Sequence, residues 1–389
     1  MSAAQRRAGM GEQPRANHQY SEQRIEAYGV RLRPFRLDDV EDVAAGCADP
    51  LTQRFLDGLP DPYTEADARW WITQGAPAAF ASGGAAYAVA DPTTDRLLGT
   101  VGLSNPVPQR GQAEIGYWVA PWARGRGVAT AATRALSEHA FAGGTARLEL
   151  LTRPENAISQ RVALAVGFRP EGVRRSATPA RGGDRRDLTV WVRLAGDPPG
   201  PSERPLPDLP DGRLTDGVVV LRRLGPDDTE QTYRLHSDPE VAASRVPPGA
   251  PAREEIERRC AGAEGQWLVG TAAAMTILDG ASGDFVGNCT LNHDQPASGQ
   301  AMIGYSLLSQ WRGRGYATRA VRLLARWGFD HVGLSRLWAG TLPENAASQR
   351  VLDKAGFRRE GLLRGRLPGA AGSRVDSTVY GLLPTDPIG

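Results

Sequence analysis

Two hydrophobic rhythms alternate along the chain. Period-two runs read as strands: Val30-Arg-Leu-Arg33, then stretches near 85–90, 97–103 and 113–119, punctuated by Asp91-Pro92 and by Pro106 to Gly111 as turns. Between the first two, Asp38 and Asp39 suit a helix N-terminus, and Thr64 to about Gly75 reads as a second helix with Trp70, Trp71 and Ile72 packing. A later helix is clearest where Ala317, Ala320, Val321, Leu324, Trp327 and Gly328 recur at i, i+3, i+4, i+7 spacing. Arg147 to Thr152 and Arg336 to Thr341 read as further strands. Asn156 then opens a short helix expected to turn Ile158, Val162 and Ala165 inward, with Gly167 as its C-cap. Strands are expected again at Asp187 to Leu194 and Asp376 to Leu383. The pattern predicts a mixed α/β fold: a mostly antiparallel sheet with flanking helices.

The pattern is written twice. Leu32 to Asp39 matches Leu221 to Asp228, Asp49-Pro50 matches Asp238-Pro239, and Ile115-Gly-Tyr117 matches Ile303-Gly-Tyr305, at an offset of 188 or 189. Residues 154–175 and 343–364 share 14 of 22 identities. A repeat this long is a domain rather than a solenoid unit. Four segments follow: a disordered tail over 1–24, domain 1 over 25–195, a linker over 196–212 and domain 2 over 213–384. Six prolines from Pro198 to Pro210 predict a semi-rigid, extended linker. The helical stretch near Ala252 to Ala261 answers Thr64–Gly75 without its tryptophans.

The most repeated motif is Arg124-Gly-Arg-Gly-Val-Ala-Thr130 and Arg312-Gly-Arg-Gly-Tyr-Ala-Thr318. Each copy follows a strand and precedes a helix. Gly125, Gly127, Gly313 and Gly315 permit positive φ and close backbone approach. Free N–H groups turning into a helix N-terminus converge on one point, where the helix dipole favours an anion. Arg124, Arg126, Arg312 and Arg314 are expected to add fixed charge suited to phosphate. The motif lacks the Gly-Lys-Ser/Thr ending of a nucleotide P-loop and the spacing of a dinucleotide fingerprint. On its own, one such turn also fits a flexible surface loop.

Composition narrows the field. A net charge of +2 with 41% hydrophobic and 23% charged residues describes an ordinary globular protein, with no field selecting nucleic acid or membrane. RNA-binding Arg-Gly segments come as long basic arrays, which these two isolated turns are not. Cys47, Cys260 and Cys289 are scattered, without metal-ligand spacing, and read as reduced thiols; no metal is expected. No run of 18 apolar residues and no apolar leader occurs, so a cytoplasmic location is expected.

With these residues assembled, both halves resemble the GCN5-related N-acetyltransferases, and most of all their ribosomal-protein N-terminal acetyltransferase (RimJ/RimL-type) branch. The resemblance rests on the two glycine motifs, on Asn156-x-x-Ser159 and Asn345-x-x-Ser348, on the Gly-Phe-Arg-x-Glu-Gly runs at Gly167 and Gly356, and on Asp187 to Trp191 and Asp376 to Tyr380. It covers about 25–195 and 213–384. It implies two tandem acyl-CoA N-acyltransferase domains, each with a sheet that splays between its fourth and fifth strands to admit acetyl-CoA. Arg124 through Ala129, with Gly125, Arg126, Gly127 and Val128, would cradle the pyrophosphate. So would Arg312, Gly313, Arg314, Gly315, Tyr316 and Ala317. Tyr117, Trp118, Val119 and Leu307 would offer main-chain groups to pantetheine and thioester. Asn156 and Asn345 would bind pantetheine, or simply cap their helices. Ser159 and Ser348 would protonate the leaving thiolate.

An amine must be neutral to attack a thioester, which calls for a general base near the carbonyl. Glu114 is the candidate implied by the resemblance; a solvated strand-edge carboxylate is the plain alternative. The copies differ here. Glu114 becomes Met302 and Trp118 becomes Ser306, so domain 1 is expected to be the better catalyst. His293 and Asp294 lie nearby in domain 2, but no spacing ties them to the reaction.

The leading expectation is an acetyl-CoA-dependent N-acetyltransferase acting on a protein or peptide N-terminus. The alternatives are a small amine or antibiotic as acceptor, and an acyl-CoA sensor or scaffold with a degenerate second domain. Two copies in one chain would mimic a dimer of single domains, as a monomer with pseudo-dimeric domains or as a homodimer.

Overall fold

The computed structural model describes Tyr20, residues 22–369 and residues 372–388. Contacts divide the chain into two units: residues up to Arg153 together with Arg161–Ser202, and Pro154–Gln160 together with Glu203 onward.

The first repeat carries strands β1 (Ile25–Ala27) and β2 (Val30–Arg33), then helices α1 (Val40–Ala48), α2 (Pro50–Phe55), α3 (Glu65–Trp70) and α4 (Ala76–Ala81). Strands β3 (Ala85–Ala90), β4 (Leu97–Val107) and β5 (Gln112–Val119) precede helix α5 (Val128–Ala142). Strand β6 (Arg147–Thr152), helix α6 (Ala157–Val166) and strands β7 (Arg169–Pro179) and β8 (Arg185–Leu194) complete it. The sheet order is β1-β2-β3-β4-β5-β6-β8-β7, and among these pairings β5–β6 is parallel. The second repeat matches it: β9 (Arg213–Thr215), β10 (Val219–Arg223), α7 (Thr229–Ser237), α8 (Pro239–Ser244), α9 (Arg253–Val269), β11 (Ala272–Asp279), β12 (Phe285–Gln295) and β13 (Gln300–Leu307). It closes with α10 (Tyr316–Asp330), β14 (Arg336–Thr341), α11 (Ala346–Lys354), β15 (Arg358–Pro368) and β16 (Arg374–Leu382), in the order β15-β16-β14-β13-β12-β11-β10-β9.

All six residues of β3, Ala-Ala-Tyr-Ala-Val-Ala, are buried, because helices cover both faces of the sheet there and leave room mainly for small side chains. In α10 the expected face holds: Ala320, Val321, Leu324, Trp327 and Gly328 are buried, and the Trp327 ring packs 5.4 Å from that of Trp267 on α9. Asp39 is not only a helix starter. It is buried and grips the Arg33 guanidinium through two contacts of 2.8 Å, and Asp228 grips Arg222 in the same way. The repeated Leu-Arg…Asp-Asp pattern is therefore a brace between the first full strand and the first helix.

Several expectations change. β7 and β15 were not foreseen as strands. β7 is arginine-rich and mostly exposed, so it shows no apolar alternation; backbone pairing to β8 holds it at the sheet edge. The helix at Thr64–Gly75 continues through a π-turn at Trp71–Gly75 into α4, and α9 runs to Val269. Trp70 and Ile158 are exposed rather than packed. The expected tail lies outside the described residues except for Tyr20 and 22–24. Tyr20 is buried, with its hydroxyl 2.6 Å from Thr145 Oγ1. The proline-rich segment between the repeats also docks along its length. Ser202 N–H donates to Leu164 O at 2.8 Å, Leu206 and Leu209 are buried in the second unit's core, and Trp267 Nε1 donates to Pro207 O at 2.9 Å. Two leucines among prolines supply the apolar surface that docks the segment.

Candidate active site

The site begins where two parallel strands part. β5 pairs with β4 along its whole length, from Val107↔Gln112 to Gly99↔Val119. It meets β6 only through Gln112–Glu114 against Arg147–Glu149, while β6 continues with β8 to Thr152. From Ile115 to Val119 that edge of β5 faces the split rather than β6. Domain 2 splits identically, with Gln300–Met302 against Arg336–Trp338. Gly99 and Gly287 allow the neighbouring strand to come close: a Cβ at either would lie 2.2 or 2.1 Å from the carbonyl oxygen of Trp118 or Ser306.

A short 3-10 turn carries each split strand into the glycine motif. Gly125 and Gly127 have φ of 73° and 75°, Gly313 and Gly315 of 74° and 86°, so the left-handed backbone requires glycine. No atom lies within 4 Å of a Cβ built on any of the four, which leaves the space above each loop open. Gly127 and Gly315 are the N-cap residues of α5 and α10, and neither helix has a side-chain cap. The first-turn N–H groups, Val128, Ala129 and Thr130 or Tyr316, Ala317 and Thr318, thus face that space, with the helix dipole behind them. These donors fit a diphosphate.

The arginines have partners within the fold. Arg124 does not offer a free charge: it pairs with Asp49, the cap of α2, and donates to Thr52 Oγ1 at 3.0 Å. Arg312 likewise pairs with Glu240 on α8 and with Asp238, the cap of α8, and donates to Leu307 O at 3.2 Å. Each brace ties the glycine loop to the second helix, and the recurrent Asp-Pro pairs at 49 and 238 carried that signal. Arg126 is exposed and 3.6 Å from Asp91; Arg314 lies over the Trp311 ring at 5.6 Å. The Tyr316 hydroxyl is turned to Asp279. The Trp118 side chain packs under α1, where a Cβ on Gly46 would sit 2.5 Å from its ring.

Glu114 stands at the mouth of the split, half-buried, with Oε2 accepting a 3.1 Å bond from Asn105 Nδ2. Its register partner on β6 is Glu149, a buried carboxylate bridged to Arg147 at 2.8 Å and also to Arg174. Asn105, Glu149 and Arg174 were not foreseen as site residues; none belongs to a repeated motif, since their counterparts are His293, Trp338 and Leu363. His293 is engaged elsewhere, with Nδ1 3.2 Å from Gly270 O.

The Asn-x-x-Ser motifs form helix caps: Asn156 Oδ1 accepts from Ser159 N–H at 3.2 Å and Asn345 Oδ1 from Ser348 N–H at 3.0 Å. In domain 2 the Ser348 hydroxyl lies 2.8 Å from the Tyr305 hydroxyl. Burial pushes the Tyr305 phenol up to about 12, against the opposing pull of that bond. Tyr305 was not foreseen as a site residue; its side chain lies at the Asn-x-x-Ser cap.

The model of an acetyltransferase (GNAT) domain matches residues 30–169 and again 219–358. The chain belongs to the GNAT acetyltransferase family. It is an N-acetyltransferase with two GNAT domains in tandem, and the family uses acetyl-CoA. Among its relatives, the uncharacterized N-acetyltransferase p20 of Bacillus licheniformis is 30% identical over 175 residues, 44% of this chain and 96% of that protein. The ribosomal-protein-serine acetyltransferase of Escherichia coli (strain K12) is 36% identical over 84 residues; the match spans 21% of this chain and about half, 47%, of that relative. Among solved structures, Mycobacterium smegmatis RimJ in complex with CoA-disulfide is 28% identical, covering 44% of this GNAT chain and 85% of that one, with a TM-score of 0.40. Among the described residues no helix is long and apolar enough to cross a membrane.

Proposed function

We propose that domain 1 transfers the acetyl group of acetyl-CoA to the α-amine of a protein or peptide N-terminus, and that domain 2 binds acetyl-CoA without matching turnover. The observation that carries this reading is the pair Glu114–Asn105 at the mouth of one split, against Met302 and a diverted His293 at the other. The N–H groups of Val128 to Thr130 and Tyr316 to Thr318 hold the pyrophosphate. The edges of β5, with Tyr117, Trp118 and Val119, and of β13 up to Leu307 that face the split pair with pantetheine as an added strand would. Asn156 and Asn345 keep their amide NH₂ groups for it.

Glu114 takes the proton of the incoming ammonium, directly or through water, and the neutral amine attacks the thioester carbon. One N–H of the open β5 edge stabilises the oxyanion. Collapse of this tetrahedral intermediate breaks the C–S bond, and the new amide nitrogen releases its second proton to solvent. The thiolate takes a proton from the Ser159 hydroxyl, which solvent restores; Ser348, backed by Tyr305, is the matching group of domain 2.

An N-terminal α-amine ionises near pH 8 and a lysine near 10.4, so a single carboxylate serves the former better. The kinship with a ribosomal-protein-serine acetyltransferase favours a protein acceptor. The test incubates the intact chain and labelled acetyl-CoA with ribosomal proteins and, separately, with polyamines and aminoglycosides. Mass spectrometry then locates the acetyl group. Label on a protein N-terminus is expected; label confined to small amines would move the acceptor to that class.

A further inference from the structure

The glycine loop of domain 2 opens into a groove whose cationic lining is not repeated in domain 1. A cavity of about 420 Å³ starts at Gly315 and runs down the outer side of α10, lined by Arg319, Arg322, Arg326 and, from the end of α11, Lys354. Asp216 is its acidic member and is spent on Arg319, at 2.8 Å. Arg322 donates to the Lys354 carbonyl, which holds its guanidinium in the wall. Among the described residues neither Arg326 nor Lys354 has an acidic partner within 4 Å. The groove thus carries a positive excess that continues directly from the backbone donors of the loop.

At the matching positions domain 1 has Ala131, Arg134, Glu138 and Ala165. Three cations of four are gone. Tyr28, which stands where domain 2 has Asp216, donates to both Glu138 oxygens at 2.7 and 2.8 Å, and the Arg134 guanidinium covers the Tyr28 ring at 5.3 Å. The side chains that line an open cationic groove in domain 2 close on one another in domain 1.

We infer that the groove beside α10 is a phosphate site, proper to domain 2, for the 3′-phosphate of the CoA nucleotide. This rests on the reading of the glycine loops as pyrophosphate cradles and adds a third phosphate to it. A phosphate monoester near pH 7 carries close to two charges and several acceptor oxygens, which suits arginine forks and one lysine. Domain 1 takes the same nucleotide without gripping that group. The two halves therefore differ in affinity: domain 2 retains the nucleotide, and domain 1 exchanges it.

The test is a calorimetric titration of the intact chain with CoA and with dephospho-CoA, which lacks only the 3′-phosphate. The wild-type chain is compared with a chain carrying Arg326→Gln and Lys354→Gln. Both residues are exposed, so the fold is expected to stand. CoA is expected to show a tight and a weaker site, and dephospho-CoA to lose on the order of tenfold at the tight site alone. The double variant should bind CoA as wild type binds dephospho-CoA, with dephospho-CoA itself unaffected. Added salt should narrow the gap. A chain with Gly127→Val, which removes the domain 1 cradle, assigns the tight site to domain 2. Equal affinities for the two nucleotides, or a gap that survives the double variant, would overturn the groove and leave the cradles standing. No binding of either nucleotide to the wild-type chain would overturn the cradles and the groove together.

Discussion

Glu114 and Glu149 are direct partners across the three-residue parallel pairing of β5 with β6, at the last register before the strands part. Partners in a sheet share a face, so two carboxylates stand side by side at the entrance of the split. One is buried and tied to two arginines; the other is half-buried and held, among the described residues, by Asn105. The same register in domain 2 joins Met302 to Trp338. The two domains diverge at this pair, while their glycine loops are nearly unchanged.

The proposed base yields the first prediction. Glu114→Gln keeps the shape and the Asn105 contact but cannot take a proton. It should lower kcat by about 10²-fold or more, with acetyl-CoA affinity unchanged. Met302→Gln should leave kcat where it was. Steady-state kinetics at saturating acetyl-CoA decides, and equal kcat for Glu114→Gln and wild type would remove Glu114 from the reaction.

The neighbouring carboxylate has a different task. Glu149 is 5% exposed and binds Arg147 and Arg174, whereas Glu171, the other partner of Arg147, is exposed. Glu149→Gln should destabilise the first domain by about 1–3 kcal/mol through the buried charge it leaves underpaired. Glu171→Gln should cost under about 1 kcal/mol. Urea unfolding followed on both variants separates the two, and equal costs would deny Glu149 its bracing role.

Much of this was legible beforehand, for reasons that particular residues make plain. The glycine loops could be read because a left-handed backbone before a helix restricts the choice to glycine, and Gly125, Gly127, Gly313 and Gly315 all adopt it. The α10 face could be read because burial imposes a 3.6 period. What sequence did not show was partnership. Nothing near Arg124 in sequence reveals its partner Asp49, 75 residues away. Arginine-rich β7 had no hydrophobic period to betray it. Glu149 sits in a strand whose repeat counterpart is a tryptophan, so comparing the copies pointed away from it.

The linker carries the third prediction. Leu206 is fully buried in the core cluster that contains Trp267 and Trp327. Truncation there removes apolar contact and leaves a cavity, so Leu206→Ala should cost about 2–4 kcal/mol. A spacer that merely joins two domains would tolerate the change within about 0.5 kcal/mol. Chemical denaturation of the full chain, read through the tryptophans, distinguishes the two.

The last prediction concerns acid. Asp95 sits among three arginines, with Oδ1 3.0 Å from Arg31 Nη1 and 3.2 Å from Arg33 Nε, and with Arg36 on its other oxygen. Burial works to raise its carboxyl, but the arginine contacts outweigh it and hold the group down at about 2. An unfolded aspartate titrates near 3.9. The folded value is the lower one, so protons favour the unfolded chain. The stabilisation is fully present above about pH 4 and is lost as pH falls through about 2. Asp95→Asn should therefore lower the urea midpoint at pH 6, and its deficit relative to wild type should shrink steadily between pH 4 and pH 2. A deficit that stays constant over that range would mean that the arginines gain nothing from the Asp95 charge.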